Sequence, residues 1–194
     1  MGIWRTLYRE IRLILGFSAP PETPSQLAER IAGELKGELG GKKGPHGEDW
    51  FLESKFENRA LKVLLDAANR RAIIELASTL EGGPLFMLVH QHAEHEQPAG
   101  TERVALTSGL FAEGTKSELK VMQDLWKAMP TGTRGNLTSL LNRVKGTWRY
   151  EDGLVLMTPS TPSLDGPSAK YNVKSLIQTV ANLTAEMEDA WSKL

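Results

Sequence analysis

Apolar positions recur with helical spacing at both ends of this chain and with alternating or short-run spacing between them. In the first segment Ile3, Trp4, Leu7, Tyr8, Ile11, Ile14 and Leu15 fall at i, i+3, i+4 and i+7. That spacing predicts an amphipathic helix over residues 1–17. Arg5, Arg9, Arg12 and Glu10 lie mostly on its other face. Pro20 and Pro21 cannot continue a helix and make residues 18–23 a short extended linker. A second helix then starts at Pro24. Thr23 serves as N-cap, proline takes the first helical position, and Gln26 completes a capping box. Leu27, Ile31 and Leu35 form its buried stripe. Gly40 and Gly41 end it, and residues 40–47 read as a flexible, partly basic loop.

The middle of the chain supports two readings. Strands over residues 49–54, 60–66, 71–79 and 84–91 are separated by breaks at 57–59, 67–69 and 81–83, the spacing of an antiparallel meander. The rival is one long helix from Lys55 to Leu80, with Leu61, Leu64, Leu65, Ala68, Leu76 and Leu80 facing a core. The β-branched pair Ile73 and Ile74 and the run 86–89 favour strand. Residues 103–111 read as one further strand. Thr115 and Glu118 form a second capping box, opening a helix through Leu119, Met122, Leu125, Trp126 and Met129. A shorter helix is expected over 136–145. Residues 147–158 carry the clearest hairpin, with Asp152 and Gly153 between two alternating runs. Val173, Leu176, Ile177, Val180, Thr184, Met187 and Trp191 mark a long amphipathic helix from about 172 to the end.

These elements add up to an α+β fold. A mainly antiparallel sheet, a meander plus a C-terminal hairpin, packs against helices, with an N-terminal amphipathic helix in front. The expected organisation is an attachment helix at 1–17, a proline-rich linker at 18–23 and a single α+β domain at 24–194. Composition changes this picture little. Apolar residues at 40% and charged residues at 24% are ordinary for a globular protein. The net charge of -1 gives no general attraction to nucleic acid. The chain has no cysteine, which excludes disulfides, thiol nucleophiles and cysteine-ligated metals and fits a reducing compartment. Arg9, Glu10 and Arg12 interrupt any secretory apolar run.

Candidate chemistry is sparse. His90, His92 and His95 lie within six residues, and the first two would share a face if a strand continues through Gln91. They are the candidate metal ligands, although no His-Glu-x-x-His spacing supports them. Lys36 and Lys43 occupy positions where a phosphate-binding loop needs glycine and serine or threonine. Ser117 and Lys120 match S-x-x-K without the companion motifs of that chemistry. Glu186, Glu188 and Asp189 read as a solvated helix face. No catalytic residue and no cofactor is assigned.

The first segment is the best functional clue. Trp4 and Tyr8 suit a headgroup zone, Arg5, Arg9 and Arg12 suit anionic lipid, and the apolar stripe equally suits a groove on a protein. The expectation is a non-catalytic adaptor or assembly component. It would attach to a protein partner, a second copy or an anionic membrane surface through residues 1–17, without nucleic acid and in the cytoplasm. The alternative is a small metal-dependent enzyme centred on His90, His92 and His95.

Overall fold

The capping box expected at Thr23 is formed. Its hydroxyl accepts from the Gln26 amide at 3.3 Å, and the Gln26 side chain accepts from the Thr23 amide at 3.0 Å. It starts α1 (Pro24–Leu39), which buries Ala28, Ile31, Ala32 and Leu35. The structure is a computed structural model that describes residues 22–79, 86–151, 153–164 and 168–194. The expected helix at 1–17 and most of the linker at 18–23 lie outside the described residues.

After α1 the chain does not enter a loop. Gly40 and Gly41 take φ of 71° and 89°, and a Cβ on Gly41 would collide with the Glu53 carbonyl. This tight passage, open only to glycine, turns the chain into β1 (Lys42–His46). The meander follows as β2 (Asp49–Phe56), β3 (Arg59–Asp66) and β4 (Arg71–Ala77). The long-helix alternative for 55–80 is thereby excluded. Glu57 and Asn58 both take positive φ, 50° and 65°, as a two-residue hairpin turn with the twist of its strands requires. Next come β5 (Phe86–His90), β6 (Glu102–Thr107) and β7 (Leu110–Gly114). The single strand expected over 103–111 is thus a hairpin, turned at Gly109 with φ 79°. The remaining elements are α2 (Lys116–Ala128), α3 (Thr131–Val144), β8 (Thr147–Glu151), β9 (Leu154–Thr158) and α4 (Ala169–Trp191). Helix α3 starts earlier than position 136, directly behind Pro130.

Among the described residues nine strands form one sheet in the order β1-β2-β3-β4-β9-β8-β5-β7-β6, every pair antiparallel. The expected α+β class holds, with a larger and fully continuous sheet. Its registers line up across the whole width. One row of cross-strand neighbours runs Lys43, Leu52, Val63, Ile74, Met157, Trp148, Leu88, Ala112, Val104. From Leu52 to Ala112 every member of that row is buried. The adjacent row, one residue along on each strand, runs Lys42, Glu53, Lys62, Glu75, Leu156, Arg149, Met87, Glu113, Arg103. Side chains alternate between faces along a strand, so these rows mark opposite faces. The apolar face carries the four helices of the described residues and the core. Each large side chain there contributes about 1.5–3 kcal/mol by burial.

Candidate functional site

Two regions stand out: the histidine cluster at the end of β5 and the face of the sheet that carries no helix among the described residues. His90 is buried on the helix side of β5. Its Nδ1 accepts from the His92 backbone amide at 3.1 Å, which fixes the turn leaving the strand. Burial, with nearby Lys145 and His92, lowers its pKa, against a hydrogen bond with Asn142 that raises it. The shift favours the neutral ring. His92 is exposed and pairs with Gln91 at 3.1 Å. His95 lies on the other face of the sheet, where its Nε2 meets Glu113 at 2.8 Å. The three histidines that neighbour one another in sequence are thus divided between two sides of the sheet. Among the described residues no group of three histidine, aspartate or glutamate side chains is placed to hold a metal ion.

Glu113 organises the helix-free face at its β5–β7 end. Its side chain is 1% exposed and accepts from Arg103 at 2.7 and 2.9 Å, in addition to His95. The loop over residues 91–101 crosses this end. It is pinned by His95, by the Glu94 amide donating to the Ser160 hydroxyl at 2.9 Å, and by Arg71 donating to Glu94 at 3.3 Å. Val89 points to this face and is 1% exposed.

The other half of the same face has no covering element among the described residues. Phe51, Leu64, Ile73 and Leu156, from β2, β3, β4 and β9, form a half-buried apolar floor. They line a concavity of about 680 Å³ with Glu53, Lys62, Glu75 and His46 at its rim. Glu53, Lys62 and Glu75 are direct cross-strand neighbours, yet none forms a salt bridge among the described residues. Leu154, on the same face, is 40% exposed. A groove with an apolar floor and unpaired charges at the rim binds an amphipathic segment better than it performs acid–base chemistry. A larger concavity of about 840 Å³, beside the start of α4, is lined by Arg143, Thr161, Ser163, Asn172 and Ser175. It brings hydroxyl and amide groups together without a paired acid and base.

Sequence reasoning missed the open groove entirely. Its floor was legible only as ordinary strand residues, because the meander alone does not say which face the helices cover. The partner-binding residues Ile3, Trp4, Leu7, Tyr8, Ile11, Ile14, Leu15, Arg5, Arg9 and Arg12 lie outside the described residues. Glu188, expected on the solvent side of the last helix, is instead 11% exposed. It is held by both guanidinium nitrogens of Arg59 at 2.7 and 2.6 Å, by the Ser78 hydroxyl at 2.6 Å and by the Thr79 amide at 2.8 Å.

No family model matches this chain, and no curated protein matches it in sequence. A solved structure does share its fold, that of the mycobacterial trehalose monomycolate transport factor A. The two superpose with a TM-score of 0.54 at 9% identity, over 88% of this chain and 95% of that one. At that identity the likeness shows the fold alone.

Proposed function

We propose that this chain is a non-catalytic adaptor or assembly component. Its α+β domain is a scaffold, and residues 1–17 attach it to a protein partner or an anionic membrane surface. The observation that carries this reading is where the domain closes. The capped start of α1 at Thr23 opens a helix that buries Ala28, Ile31, Ala32 and Leu35 against the sheet. On this reading the domain has its own capped start, and the apolar stripe of the first segment serves another surface. No helix of the described residues is long and apolar enough to cross a membrane. The mycobacterial protein that shares the fold is named a transport factor. That name offers a fold precedent and no substrate.

Deleting residues 1–17 tests the proposal. The truncated chain should remain soluble, unfold cooperatively and melt near the parental temperature. It should also lose flotation with vesicles of phosphatidylserine and phosphatidylcholine, if the surface is lipid. That flotation should weaken as salt rises, because Arg5, Arg9 and Arg12 supply part of it. A truncated chain that precipitates or melts far earlier would make the segment part of the core and end the attachment reading.

A further inference from the structure

We draw no further inference here: the strongest candidate, the half-buried apolar floor of Phe51, Leu64, Ile73 and Leu156 on the sheet face opposite the helices, carries nothing because nothing among the described residues shows what covers it.

Discussion

At the scale of single residues, ion pairs between distant segments carry information that spacing cannot. Glu188 sits next but one to Glu186 on α4, and from the sequence both read as solvated. Its partner Arg59 lies in β3, 129 positions away, and no local pattern announces it. Burial opposes ionisation of Glu188, but the hydrogen bonds from Arg59, Ser78 and Thr79 outweigh it and hold the carboxyl at about 2. The folded value is thus depressed below the ordinary 4.5. A depressed carboxyl contributes stability that is fully present above its unfolded value and is lost as pH falls through the folded one. The contribution of this pair should therefore be intact at neutral pH and decline between about 4.5 and 2. Glu188→Ala should cost about 2 kcal/mol or more, because it leaves Arg59, 16% exposed, without its partner. It should also flatten the acid limb of a stability–pH curve measured by urea unfolding. An unchanged acid limb in that variant would show that the pair does not control it. His90 was legible as a candidate ligand but not as what it is. Only the structure shows its Nδ1 occupied by the His92 amide.

At the scale of elements, legibility followed the contrast between faces. Helices α1 and α2 announced themselves through capping boxes, which are local and directional signals. The meander was readable because Leu61, Val63 and Leu65 alternate with more exposed neighbours, although its leucines and alanines also fit a helix. Strand β1 was not readable. It is an edge strand containing Pro45, with Lys43 reaching over the Trp50 ring at 4.9 Å instead of an aliphatic side chain packing there. An edge needs only half a face, so the apolar signal never appears. The β6–β7 hairpin failed for the opposite reason, since apolar residues continue on both sides of Gly109 and mask the turn. The β8–β9 hairpin succeeded because Asp-Gly is a strong turn pair. Gly153 takes φ of 77°, and Asp152 lies outside the described residues. Alanine resists that conformation, so Gly153→Ala should cost about 1 kcal/mol or more. A thermal melt checks this, and an unchanged midpoint would mean that the turn relaxes into another form at no cost.

At the scale of the whole molecule, one sheet separates two surfaces of different character. The helix side is a continuous core running from Leu35 on α1 to Met187 on α4. The other side is held by a few polar clasps, of which Glu113 is the most enclosed. This asymmetry predicts that the two sides open independently. Glu113→Gln removes the charge that Arg103 and His95 share, while the amide nearly preserves the shape. Arg103 is 31% exposed and His95 17%, so both can turn toward water once released. Among the described residues no hydrogen bond or ion pair joins these three side chains to the helix side, and sites without shared partners behave nearly additively. The expected result is local. Amide exchange in residues 91–101 should rise at least tenfold, since losing a charge-assisted hydrogen bond is worth about 1.5–3 kcal/mol and each 1.4 kcal/mol is tenfold. Exchange in the central strands β3, β4 and β9, which opens only with the core, should change by no more than the loss in global stability. Hydrogen–deuterium exchange with peptide resolution separates these outcomes. A uniform rise across both regions would mean that the clasp is wired into the core, and that the helix-free face is not an independently opening surface.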